Sequence, residues 1–194
     1  MSSYAPTRRG DGDRPTAAIL TLGCKVNQYE SEAMAEALTA TGFDMASPTD
    51  VCDLYIVNSC TVTSESDRKS RQAVRRLIKL NPNARVIVTG CSAQVTPGRM
   101  AEIPGVDAVI GNREKMAVIT AARRLMEEGK PKTPVVDVPQ LTDSGFESMT
   151  ITRFDRTRAY VKIQDGCESH CTYCIIPLAR GPLRSKSMAH VIAE

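Results

Sequence analysis

Apolar residues gather along this chain in short runs, each closed by a glycine, a cysteine or a polar turn and followed by helical spacing. Ala17 to Leu22 is the first run and ends at Gly23-Cys24. Leu54 to Val57 is the second, ending at Asn58-Ser-Cys60, and Arg85 to Val88 the third, ending at Thr89-Gly-Cys91. Asp107 to Ile110 closes at Gly111. Between them, Ser31 to Thr41 sets Met34, Ala37 and Leu38 on one face and stops at Gly42, a residue suited to the left-handed turn that ends helices. A second helix is predicted from Ser66 to Leu80, closed by Asn81-Pro82, and a third from Arg113 to Glu128 with Gly129 behind it. Phe43 to Ala46 adds an edge strand. Continuous apolar strands alternating with helices predict an α/β fold, a flavodoxin- or Rossmann-like parallel sheet covered by helices.

The polar stretches divide the chain. Residues 1–15, with Gly, Pro and Arg, read as a disordered tail, and 16–128 as the α/β domain. Residues 129–150 are rich in Pro, Lys, Asp and Ser and read as a linker, with Val135-Val136 able to form a short strand. A new strand is expected from Ala159 to Ile163, within a second domain beginning at 151, and a helix near Ser187. The 42% hydrophobic content supplies a core, and a net charge of +3 is too mild to announce nucleic acid. The amino-terminal residues lack an apolar leader core, and the uncharged run Pro15 to Cys24 is too short to span a bilayer, so no membrane role and a cytoplasmic location are expected. Seven cysteines without an export signal point to metal ligation in a reducing compartment rather than to disulfides.

Three of those cysteines, Cys167, Cys171 and Cys174, read C-x3-C-x2-C. A [4Fe–4S] cluster normally takes four thiolates, so three on one loop would leave an iron open to a substrate or cofactor. The alternative is zinc, which needs a fourth ligand; His170 is the nearby candidate and sits awkwardly beside Cys171. Cys24, Cys60 and Cys91 each follow a predicted strand, at the sheet edge where parallel sheets bind ligands. They form a second candidate trio, against the alternative that they are merely buried, as small hydrophobes. Cys52 has no strand-end position and reads as structural.

Tyr173 immediately before the last loop cysteine resembles the radical S-adenosylmethionine (SAM) enzymes. Together with Gly23-Cys24-Lys-Val-Asn-Gln-Tyr-Glu-Ser31, Asn58-Ser-Cys-Thr-Val62, Thr89-Gly-Cys91 and Ile163-Gln-Asp-Gly-Cys167, the loop resembles the methylthiotransferases over about residues 17–187. The resemblance implies two [4Fe–4S] clusters, on Cys24/Cys60/Cys91 and on Cys167/Cys171/Cys174, with SAM bound at the second and sulfur supplied at the first. It makes residues 151–194 the start of a (β/α) barrel that would need roughly 200 residues to close. Gly166, Tyr173 and Arg180 are the expected cofactor-side residues. Tyr173 would pack on the adenine or fill a core; Arg180 and Arg184 would meet a carboxylate or phosphate or stay solvated. Leu178 stands where relatives carry an aromatic. Lys25, Asn27, Gln28 and Asn58 would hydrogen-bond cluster sulfurs or serve as caps and turns. Arg68, Lys69, Arg71, Arg75, Arg76 and Lys79 share a helix and would track an RNA backbone or form a solvated face.

Within the family, the residues after Cys24 resemble the branch acting on threonylcarbamoyladenosine at position 37 of tRNA. The isopentenyladenosine branch is the alternative, as is a non-catalytic iron–sulfur or zinc module holding RNA or protein. The implied partners are tRNA and a flavodoxin- or ferredoxin-like reductant.

Overall fold

The computed structural model describes residues 14–141, 145–147, 149–152 and 158–194; the expected tail falls outside them up to residue 13. Six parallel strands form the sheet: β1 (Thr16–Thr21), β2 (Asp44–Met45), β3 (Leu54–Ser59), β4 (Arg85–Gly90), β5 (Ala108–Ile110) and β6 (Val135–Asp137), in the order β2-β1-β3-β4-β5-β6. The first five follow flavodoxin order, which reverses between β1 and β3 and opens a crevice there. Strand alternation feeds two cores. Leu54, Ile56, Ile87 and Ile110 pack under α1 (Lys25–Ala40) and α5 (Ala117–Glu128). Tyr55, Val57, Val86, Val88 and Val109 pack on the other face under α2 (Ser64–Leu80) and the short α3 (Cys91–Val95) and α4 (Pro97–Ala101).

Two departures from the expected elements have physical causes. Helix α1 begins at Lys25, six residues before the expected start, because its first turns bury Asn27, Glu30 and Ser31. A search for an apolar stripe misses a buried face that is polar. Helix α5 begins four residues late, because the Glu147 carboxylate takes the Lys115 and Met116 amides at 2.8 and 2.9 Å and caps the helix from a distant segment. The short strand expected at Val135-Val136, within the linker, forms as β6 and extends the sheet by pairing with β5.

The strand expected over Ala159 to Ile163 is not formed. Its alternation runs the wrong way for a barrel core: Val161 and Ile163 are exposed and Lys162 is buried. The chain instead pairs β7 (Gln164–Asp165) antiparallel with β8 (Arg184–Ser185). Between them lie the cysteine loop and α6 (Ile176–Arg180), and α7 (Met188–Ala193) follows. This segment lies against the α/β unit: α1 turns Tyr29 and Ala33 toward Met149 and Ile151, and Tyr29 donates to the Met149 carbonyl at 2.7 Å. Among the described residues, no helix is long and apolar enough to cross a membrane.

Candidate functional site

Cys24 caps the start of α1, Cys60 directly follows β3 and Cys91 opens α3, so the first trio stands along the carboxyl edge of β1, β3 and β4, with Cys24 and Cys60 on either side of the crevice. Cys24 is exposed; Cys60 and Cys91 are buried. Gly23 makes this approach possible: at φ +100, any Cβ there would stand 2.9 Å from Cys60 Sγ. Asn27 stitches the edge, donating to the Leu22 and Ser59 carbonyls at 2.8 and 3.0 Å, and its Oδ1 lies 3.8 Å from Cys24 Sγ. Asn58 donates to the Asn27 carbonyl and to Ser31, so both asparagines have backbone-organising roles. The Thr89 hydroxyl and Asn58 Oδ1, on residues in register across β3 and β4, are buried without a hydrogen-bond partner among the described residues. Burial pushes the Cys91 thiol up, while Arg180 and Lys115 pull against it.

The second trio lies on an open loop. Cys171 is exposed and Cys167 and Cys174 are half-buried. Hydrogen bonds from Ser169, through its backbone and its side chain, hold the Cys167 thiol below its ordinary range, favouring the thiolate. Gly166 anchors the loop: at φ +80, a Cβ there would meet the Pro182 carbonyl oxygen at 2.0 Å. Tyr173 is 93% exposed, which removes core packing as its role, and Leu178 is exposed as well.

Arg180 is neither solvated nor free. Its guanidinium, 4% exposed, donates from Nη1 to Glu30 at 2.8 Å and to Asp165 at 3.1 Å, and from Nη2 to Asn27 at 2.6 Å. Glu30, fully enclosed in α1, also pairs with Lys115 at 3.1 Å and Lys162 at 2.7 Å, and Lys162 reaches Asp165 at 2.7 Å. Burial alone would raise Glu30, but Arg180, Lys115 and Lys162 hold its carboxyl well below the usual range. Asp165 is lowered likewise, against its burial, by Arg180 and Lys162. This ionic cluster joins the two cysteine-bearing segments. Of its members only Asn27, Arg180 and Arg184 stand out in the sequence; Glu30, Lys115, Lys162 and the role of Asp165 do not.

Comparison with known proteins places this arrangement. The uncharacterized protein family UPF0004 matches residues 16–111, which hold the first trio. The threonylcarbamoyladenosine tRNA methylthiotransferase MtaB of Bacillus subtilis is 42% identical over 92% of this chain and 40% of its own length. Its counterpart from Thermotoga maritima is 41% identical over 89% of this chain and 38% of its own. The chain belongs to the methylthiotransferase family. It spans about 40% of the length of these relatives. The ribosomal protein uS12 methylthiotransferase RimO of Pelotomaculum thermopropionicum, another relative, is 33% identical over 91% of this chain and 40% of its own. A likeness of fold alone extends to the radical S-adenosylmethionine methyltransferase TsrM from Kitasatospora setae, solved with cobalamin and a [4Fe-4S] cluster bound. It has TM-score 0.54 and 16% identity over 94% of this chain and 45% of that one.

The residues present fit iron–sulfur clusters as this family implies them. The donors are thiols, Asn112 presents its amide nitrogen 3.9 Å from Cys91 Sγ, and among the described residues the Thr89 hydroxyl and Asn58 Oδ1 are buried at the strand ends without a hydrogen-bond partner. Among the described residues, no three or more His, Cys, Asp or Glu side chains are drawn tightly enough for a single metal ion, and this holds for a zinc set around His170 too. A four-iron cube is wider than one ion, so its thiolates stand further apart. Cys52 packs away from both trios, in the core beside Tyr55; burial, with Asp50 and Asp53 adding to it, pushes its thiol up to about 11. Iodoacetamide at pH 8 should therefore modify the exposed Cys171 readily and leave Cys52 unmodified in the folded chain, read by peptide mass spectrometry; labelling of Cys52 at the same rate would contradict its placement.

Helix α2 divides its cations. Glu65 holds Arg68 at 2.7 Å and Lys69 at 3.7 Å, while Arg71 pairs closely with Asp67. Asp67 also accepts from Ser92 at 3.0 Å, next to Cys91, so Arg71 belongs to the scaffold of the edge. Arg75, Arg76 and Lys79 are exposed.

Proposed function

We infer that this chain forms the cluster-bearing portion of an enzyme that methylthiolates C2 of N6-threonylcarbamoyladenosine at position 37 of tRNA. The observation that supports the reading is one buried ionic joint linking the two cysteine-bearing segments, in a chain whose more similar relatives bear the threonylcarbamoyladenosine name. Cys167, Cys171 and Cys174 would hold a [4Fe–4S] cluster with SAM at its open iron, and Cys24, Cys60 and Cys91 a second cluster bearing sulfur. When bound, these groups supply reductive cleavage of SAM and a sulfur atom for the substrate carbon.

The protein's own residues have narrower tasks. Gly166 and the β7–β8 pair hold the loop's base, and the loop's exposure leaves room for a cofactor beside Tyr173. Asn27 and Gly23 set the spacing of Cys24 and Cys60. Arg75, Arg76 and Lys79 offer the RNA backbone a basic face, a contribution that weakens with salt. A flavodoxin- or ferredoxin-like protein would deliver electrons.

The test is nucleoside mass spectrometry of tRNA incubated anaerobically with SAM, dithionite and the reconstituted protein. Both this chain and a chimera continuing it with the remaining length of the Bacillus subtilis relative are assayed. Methylthiolation is expected on tRNA bearing threonylcarbamoyladenosine and not on tRNA bearing isopentenyladenosine. The reverse preference would move the protein to the other branch. SAM left uncleaved by the chimera would favour a binding module.

A further inference from the structure

The charges buried between the two cysteine-bearing segments do not balance. Lys115, Lys162, Arg180 and Arg184 are each at most 8% exposed. The carboxylates among them are Glu30 and Asp165, with Glu147 near Lys162 at the start of α5. Among the described residues, four cations thus face three carboxylates, and Arg184 Nε has no hydrogen-bond partner. Taking an ion from water into protein costs several kcal/mol even after relaxation. An unmatched cation is worse, because no local Coulombic gain offsets that cost. Stability is therefore a poor explanation for the surplus.

Its placement suggests a better one, because two leads run from the ionic cluster to the sulfurs. Lys115 Nζ donates to Asn112 Oδ1 at 2.5 Å, and Asn112 Nδ2 lies 3.9 Å from Cys91 Sγ. Arg180 Nη2 donates to Asn27 Oδ1 at 2.6 Å, and that oxygen lies 3.8 Å from Cys24 Sγ. Asn112 thus offers Cys91 an amide N–H, whereas Asn27 turns its oxygen toward Cys24 and accepts from that thiol, so Arg180 acts on Cys24 through its charge and not through a donated hydrogen bond. Asn112 also donates to the Ala179 carbonyl at 2.7 Å, so it ties α6 to the same edge.

We propose that Lys115 and Arg180 are positioning residues for the Cys24/Cys60/Cys91 edge: their surplus positive charge poises that edge to hold a net-negative group and to keep it when it gains an electron, while Arg180 also clamps the Cys167–Cys174 segment in register against it. The proposal rests on the cluster reading of this trio. Three thiolates outweigh the charge of an oxidised four-iron core, and reduction adds one more negative charge. In a low-dielectric interior, a cation a few ångströms beyond the ligands stabilises the reduced state more than the oxidised one. The two residues separate the two effects. Lys115 belongs to the α/β unit and contributes charge and a hydrogen bond to Asn112, whereas Arg180 comes from the other segment and contributes charge and direct attachment.

The experiment uses the whole chain carrying Cys167→Ala, Cys171→Ala and Cys174→Ala, so that one cluster site remains. The midpoint potential of the reconstituted protein is read by dithionite titration with electron paramagnetic resonance. Amide exchange over residues 160–186 is read in the iron-free chain. Lys115→Gln should shift the reduction equilibrium at least tenfold toward the oxidised state, about 59 mV for one electron, with segment exchange unchanged. Arg180→Gln should give the same shift and also speed exchange of the segment. Lys115→Arg and Arg180→Lys, which keep the charge, should return the potential to within threefold of the parent equilibrium. Should Lys115→Gln fail to fold, the Arg180→Gln and Arg180→Lys pair makes the same comparison. Four irons in the parent with a potential unmoved by the charge-removing variants would overturn this inference alone. No iron in the parent would overturn the cluster reading, and the inference with it.

Discussion

Anaerobic reconstitution is expected to load this chain with about eight irons and matching sulfide, and Cys171→Ala to reduce that to about four. Cys60→Ala should remove the other four, and the double variant should hold none. The halves separate because the trios sit on different segments: Cys60 follows a central strand of the sheet, while Cys171 projects from the open loop beyond β7. Each cube keeps only two thiolates after the substitution, too few to retain it through reconstitution. Cys52→Ala should leave all eight in place, since its buried thiol faces the core beside Tyr55. Iron, sulfide and zinc per chain, by elemental analysis, decide the matter. Iron unchanged in Cys171→Ala would mean that the loop is not a cluster site. Zinc in place of iron would turn the protein into a binding module.

The sheet was legible because its four inner strands, β1, β3, β4 and β5, are apolar on both faces and each runs into a cysteine or glycine. Ile56 and Val57 belong to opposite cores, so the run through them has no alternation to misread. The trio at the strand ends followed from the same feature: parallel strands gather their carboxyl ends, and the chain places a cysteine just beyond three of them. What stayed hidden was polar burial. Glu30 and Lys162 read as surface residues because charged side chains are seldom enclosed. They are enclosed here because they pair across 132 residues, with Lys115, Arg180 and Asp165 completing the cluster. That pairing also inverts the strand expected at Ala159 to Ile163, where Lys162 takes the inward position that an apolar residue would hold in a barrel. No local pattern carries such information; it lies in the match between two distant segments. The late start of α5 has the same origin, since its cap, Glu147, comes from outside the helix.

That dependence on a distant partner makes Glu30→Ala the costliest single change expected outside the apolar core, about 3–5 kcal/mol at neutral pH. The carboxylate is the shared counter-charge of Lys115, Lys162 and Arg180, and its removal leaves three buried cations with Asp165 and the more distant Glu147. Glu30→Gln should cost less, because an amide oxygen still accepts from Arg180 while the charge is gone. The pH dependence identifies the charge as the cause. Glu30 and Asp165 have folded-state values held below their unfolded ones, so their contribution is complete above the ordinary carboxylate range, about 4. It is lost as pH falls through the depressed folded values. Urea denaturation of wild type and Glu30→Ala between pH 7 and 2.5 should therefore give stabilities that differ most at neutral pH and converge in acid. A difference that stays constant across that range would mean that the carboxylate acts through packing alone, and the ionic joint between the two segments would lose its electrostatic basis.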